Sequence, residues 1–154
     1  MEFRRAGVDD LESFVDVRIE FITQIRTIRE IDAFRNSTLA YLRAHIEQDD
    51  LVIFLAVDQG RIVSSCMACV YQTAPVPSCL TGKTAKLLNV YTQLEYRRRG
   101  LAERLIRMLL TELQTRDVEK VVLDYTEDGL PLYQKLGFTI LPCQMQLILP
   151  VGDR

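Results

Sequence analysis

The sequence holds a single histidine, His45, and only four cysteines, Cys66, Cys69, Cys79 and Cys143, in 154 residues. One histidine gives little support for a Ser-His-Asp or Cys-His device, in which the imidazole is the base. The cysteines are poorly placed for a metal. Cys66 and Cys69 have the spacing of a redox or zinc pair, but they lie in an apolar stretch that reads as a strand. Residues three apart on a strand point to opposite faces. A zinc site and a thioredoxin-like motif are set aside, and no metal is expected. Long hydrophobic runs are also missing. The longest, Leu51–Val57, is too short to cross a bilayer, so no membrane partner is expected. The stretch Met1-Glu2-Phe3-Arg4-Arg5 lacks the apolar segment of a secretory leader. The chain is therefore read as cytoplasmic, with reduced thiols. Neither sign of charge dominates: 19 Lys and Arg face 21 Asp and Glu, for a net charge of −2. That argues against a nucleic-acid partner, which asks for a basic surface.

What is present is a full domain's worth of patterned sequence. The length suits one domain spanning residues 1–154, with enough residues to bury a core without staples. Phe3-Arg4-Arg5-Ala6 is a short strand candidate. Asp9 or Asp10 is placed to cap a helix that carries Leu11, Phe14, Val15, Ile22 and Ile25 at helical spacing. The charged stretch 26–35 breaks that pattern, and Asn36 or Ser37 is expected to cap a second helix with Leu39, Leu42 and Ile46 on one face. Leu51–Val57 and Ile62–Tyr71 read as strands joined by the turn Asp58-Gln59-Gly60-Arg61. Thr73–Gly82 is a loop, and Thr84–Thr92 is another strand. Gly100–Leu113 is the clearest helix: Leu101, Leu105, Leu109 and Leu113 form one apolar row and Ala102, Ile106 and Leu110 the next. A strand over 120–125 follows. A short helix over 130–136 has Pro131 near its start and Gly137 past its end. Phe138–Leu141 and Gln144–Leu149 are expected as final strands. The order β-α-α-β-β-β-α-β-α-β-β describes one α/β (α+β) domain with a mixed sheet.

Two segments carry chemistry. In the first, an apolar strand through Leu87-Leu88-Asn89-Val90-Tyr91-Thr92 ends in a polar turn, and Arg97-Arg98-Arg99-Gly100-Leu101-Ala102 opens the strong helix. A helix start presents unpaired N–H groups and a partial positive charge, and small residues admit a ligand close to the backbone. Such a site suits a pyrophosphate; an Arg-rich turn exposed to solvent would look the same. In the second, Tyr133-Gln134-Lys135-Leu136-Gly137-Phe138, the tyrosine taken alone is an ordinary packing residue.

Together, the Arg-x-x-Gly-x-Ala turn, the strand before it and the Leu-Tyr-x-Lys-Leu-Gly-Phe segment about thirty residues later resemble the GNAT superfamily of N-acetyltransferases. The element order resembles its domain too. The resemblance implies a mixed, mostly antiparallel central sheet flanked by helices, with acetyl-CoA as cofactor. It implies that Arg97, Arg98, Arg99, Gly100, Leu101 and Ala102 hold the pyrophosphate. It also implies a bulged strand at Asn89 to Thr92 whose backbone, at Val90, Tyr91 and Thr92, meets the pantetheine arm. Tyr133 falls where the family often has the acid that protonates the leaving thiolate. Many members have an Asn shortly after the preceding strand. This chain has Tyr125-Thr126-Glu127-Asp128 there, and Thr126 is the expected substitute contact. No general base is assignable; Glu20, Glu30 and Asp32 lie where the family shapes its acceptor pocket. The acceptor is expected to be a small-molecule or peptide amine, and a homodimer is compatible with the fold. The alternative is a regulatory or sensing domain of this fold that binds acyl-CoA and transfers nothing.

Overall fold

A computed structural model describes residues 1–152, which divide into two compact units, 1–124 and Tyr125 onward. The first unit is built on a five-stranded sheet of order β1-β2-β3-β4-β5: Glu2–Arg5, Leu51–Asp58, Arg61–Gln72, Lys83–Thr92 and Lys120–Leu123. The first four strands are antiparallel in sequence, and β5 runs parallel to β4. A parallel neighbour needs a crossover, which helix α3 (Leu101–Thr115) supplies. Gln59 and Gly60, both at positive φ, close the two-residue turn between β2 and β3, as the right-handed twist of a hairpin requires.

Helices α1 (Leu11–Ile25) and α2 (Ile31–His45) cover one face of this sheet. Alternation along β2 sends Leu51, Ile53 and Leu55 into that layer. Val52, Phe54 and Ala56 point the other way, where α3 packs on β2, β3 and β4. The expected stripe on α3 is the buried one, with Leu101, Leu105, Ile106, Leu109 and Leu113 inside. Each such side chain contributes about 1.5–3 kcal/mol on burial.

The helix starts differ from the sequence reading. Asp10 does not cap α1 with its side chain. It is itself helical, and its carboxylate turns back to accept the Gly7 N–H at 2.8 Å and both Nη groups of Arg4, at 2.7 and 2.8 Å. Asn36 and Ser37 lie inside α2, which starts from Glu30. Arg35, read as part of a break, instead joins α2 to α1 by pairing with Asp16 and Glu12. Ile25, expected on the apolar face, is exposed where α1 ends.

The second unit contains helix α4, Leu130–Lys135, with Pro131 in its first turn and Gly137 at φ +96 just beyond it. The two strands expected at Phe138–Leu141 and Gln144–Leu149 are absent: these residues join no sheet. Leu141, Met145, Leu147, Ile148 and Leu149 are exposed. Apolar alternation marks a strand only where a neighbouring strand completes its ladder.

Candidate active site

The chemistry-bearing segment of the first unit begins with a backbone irregularity. Ser65 pairs with Tyr91 and Met67 with Leu88, so β4 holds one more residue than β3 across that interval. This is a β-bulge. Asn89 provides it by adopting φ +52, a conformation that asparagine tolerates better than most residues. The Asn89 side chain is buried and donates from Nδ2 to Ser65 Oγ at 3.0 Å, while Ser65 Oγ lies 3.3 Å from the Asn89 carbonyl. Ser64 Oγ donates to the Tyr91 carbonyl at 2.9 Å and lies 2.8 Å from Thr92 Oγ1. Two buried serines thus hold the bulged strand by side chains where the backbone ladder is interrupted. Val90 and Thr92 flank Tyr91 and are half-buried.

Tyr91 points toward α1. Its phenol donates to Glu20 Oε1 at 2.7 Å and accepts from Gln24 Nε2 at 2.9 Å, and its ring lies 5.5 Å from that of Phe21. Burial, and then the Glu20 carboxylate, raise the Tyr91 pKa above its ordinary value, so the phenol keeps its proton. Of the three acidic residues considered from sequence, the structure brings Glu20 to the bulge. Glu30 sits at the start of α2 and Asp32 in its exposed first turn.

The turn after β4 is shaped by positive φ at Arg98 and Gly100. Two of the three arginines are tied into the turn itself. Arg97 Nε donates to the Thr92 carbonyl at 3.0 Å, its Nη2 lies 3.4 Å from Gln24 Oε1, and its guanidinium lies 6.0 Å from the Tyr91 ring centre. Arg99 Nη2 donates to the Glu95 carbonyl at 2.8 Å, and the group sits 5.0 Å over the Tyr96 ring. Arg98 is exposed. Helix α3 starts from Gly100 without a side-chain cap, so the amides of Leu101 and Ala102 face outward from its first turn. A Cβ built on Gly100 would meet nothing within 4 Å. From this open start an approximately 370 Å³ groove runs along α3, lined by Gly100, Glu103, Arg104, Arg107, Met108 and Thr111. The uncapped start and the open space beside Gly100 fit an anionic, phosphate-bearing group.

In the second unit, Tyr133 is buried on α4 and meets Phe138 edge-on, with ring centres 5.9 Å apart. Thr126 Oγ1 lies 3.3 Å from the Gly129 N–H, and the Thr126 carbonyl also accepts that N–H, at 3.0 Å. Thr126 thus acts locally as the acceptor of the turn that starts α4.

The cysteines are free thiols, and among the described residues no His, Cys, Asp and Glu cluster could hold a metal. No helix among the described residues is long and apolar enough to cross a membrane. His45 ends α2, stacked on Tyr41 and 2.8 Å from Asp50. The sequence reading missed Arg18, whose Nη1 lies 3.4 Å from Asn89 Oδ1. It had a signal: Arg18 interrupts the apolar row Leu11, Phe14, Val15, Ile22, where a charge is unexpected.

The model of the acetyltransferase (GNAT) family matches residues 19–138. The chain belongs to the GNAT acetyltransferase family. A predicted acetyltransferase from Clostridium acetobutylicum, solved with acetyl-CoA, superposes with a TM-score of 0.86 at 21% identity, over 96% of this chain and 95% of that one. A GCN5-related N-acetyltransferase from Ralstonia eutropha superposes at 0.84 and 25% identity, over 96% and 97%. An acetyltransferase from Trypanosoma brucei superposes at 0.71 and 27% identity, over 96% and 99%. No curated protein matches the chain in sequence.

Proposed function

We propose that this chain is an N-acetyltransferase that moves an acetyl group directly from acetyl-CoA to a primary amine in a ternary complex, without an acyl-enzyme. The observation that carries this reading is the continuity of one segment. The bulge at Asn89, the turn through Arg97–Arg99 and the uncapped start of α3 follow one another within fourteen residues, 89–102. Acetyl-CoA supplies an activated thioester. In this reading the backbone of Val90 and Thr92 pairs with its amide arm, as an added strand would. The amides of Leu101 and Ala102, with Arg98 beside them, hold its pyrophosphate. Arg97 and Arg99 act mainly by fixing the turn, since their guanidiniums already serve Thr92, Gln24 and Glu95.

Glu20 attracts the acceptor's ammonium and takes a proton from it through water. The amine nitrogen then bonds to the acetyl carbon, the carbon–sulfur bond breaks, and the nitrogen's second proton passes through water to restore the Tyr133 phenol. A backbone N–H at the bulge stabilises the developing oxyanion, a contribution of about 3–4 kcal/mol for one such donor. Tyr133 donates its phenol proton to the departing sulfur, a role that rests on its match to the family pattern. Thr126 contributes a weaker contact to the same cofactor. The setting is cytoplasmic, in keeping with four free thiols.

The direct test is calorimetric titration with acetyl-CoA, with CoA and ATP as comparisons, followed by thiol-release assays over a panel of amines. Micromolar acetyl-CoA binding with thiol release supports the reading. Binding without turnover on any amine would instead support a sensing domain, and absence of binding to either CoA species would overturn the cofactor assignment.

A further inference from the structure

The cation at Arg18 lies against a neutral amide and an aromatic ring. Its Nη1 reaches Asn89 Oδ1 at 3.4 Å, and its guanidinium carbon lies 5.8 Å from the Phe34 ring centre. Among the described residues no carboxylate pairs with it. Several other arginines of the chain do pair with a carboxylate. Arg4 pairs with Asp10, Arg35 with Glu12 and Asp16, Arg43 with Glu12, and Arg116 with Glu112. Acidic residues outnumber basic ones in this chain, so counter-ions were not scarce. Burial lowers the Arg18 pKa and raises that of the nearby Cys69 thiol, so Cys69 is not the missing anion.

A guanidinium stays charged in proteins and offers several N–H donors in a rigid fork. Half-burying one without an anion opposes folding. An Arg in a core-facing row therefore asks for an explanation outside the folded chain itself. Its position gives one. The residue it touches, Asn89, forms the bulge, and Asn89 is held by Ser65 so that its amide oxygen faces the guanidinium.

We infer that Arg18 receives an anionic group, a carboxylate or a phosphate, carried by the amine acceptor, and that Asn89 orients Arg18 for it. The acceptor is thus a small amine with a negative charge near the nucleophilic nitrogen. This rests on the acetyl-transfer reading.

The test uses matched pairs titrated calorimetrically into the whole protein in the presence of CoA: β-alanine against β-alaninamide, and a hexosamine against its phosphate ester. Wild type should bind the charged member of one pair roughly tenfold to a hundredfold more tightly. The pair that shows the preference separates carboxylate from phosphate. Arg18→Gln should abolish the preference, raising KM for the charged acceptor to that of its uncharged partner. Arg18→Lys, which keeps the charge but not the fork, should retain part of it. Circular dichroism and CoA affinity identify a variant that has failed to fold; Arg18→Lys then provides the comparison. Equal binding within both pairs, including no binding by any member, overturns the inference, as does a preference that survives in Arg18→Gln. Charged-member binding without thiol release would keep the Arg18 site and remove the acetyl-transfer reading.

Discussion

Three residues permit sharp tests. Gly100 stands at φ +76 with open space around it, so a methyl group meets no neighbour but forces a left-handed conformation. Gly100→Ala is expected to cost about 1–2 kcal/mol in thermal or chemical unfolding. Under the proposed cofactor site, acetyl-CoA affinity should fall as well, because the added group would crowd a ligand at the helix start. Gly129 is the opposite case. A Cβ there would lie 2.9 Å from Tyr133 Cε2, inside normal contact. Gly129→Ala should push the ring aside and lower melting stability by about 1–3 kcal/mol; an unchanged melting curve would show that the ring yields freely. Tyr133→Phe removes only the hydroxyl. Turnover should drop by about 10²–10⁴-fold with acetyl-CoA affinity retained, and full turnover would remove Tyr133 from the mechanism.

At the scale of elements, the bulge and the join between β1 and α1 can be probed separately. Asn89→Ala removes the bond to Ser65 and places alanine at φ +52. We expect a loss of about 1–3 kcal/mol in unfolding free energy, with α3 intact by circular dichroism. Asp10 joins β1 to α1 through Arg4. Its pKa is lowered, first by the Arg4 hydrogen bonds and also by the Gly7 amide, against the opposing effect of burial. A lowered folded pKa stabilises above the unfolded value, and that stability is lost as pH falls through the folded one. Asp10→Asn should therefore be less stable than wild type at neutral pH, by about 1 kcal/mol given partial exposure. The gap should close in strong acid; a gap independent of pH would mean that the pair contributes no charge term. The same elements show what sequence could reveal. The row of Leu101, Leu105 and Leu109 defines α3 because its period matches one buried face. The start of α2 was misread because Asn36 and Ser37 are good caps wherever a helix begins, and their exposure in mid-helix leaves no mark in the pattern. Residues 138–149 were misread because alternation records apolarity but not the presence of a partner strand. The bulge was expected only through family likeness, since a positive φ at Asn89 has no local signature beyond the residue type. Arg18 was legible as a charge in an apolar row but acquires meaning only beside Asn89, seventy-one residues away.

For the whole molecule, acetyl-CoA offers a test that spans cofactor and stability. A ligand that binds only the folded chain should raise its melting temperature, by roughly 2.7 kcal/mol of stabilisation at a hundredfold excess over Kd. A melting curve indifferent to acetyl-CoA would contradict the proposed cofactor site at the helix start. The two-residue turn at Gln59 and Gly60 has a different consequence, one that lies in time. It brings β2 and β3 together at once, and hairpins of this kind close in about 1–10 μs. β1 pairs with β2, some fifty positions later, and β5 must await the whole of α3. As the chain emerges during synthesis, its centre therefore zips before its margins. The hairpin is the natural seed of folding, and β1 and β5 are the last to lock and the first to exchange their amide hydrogens.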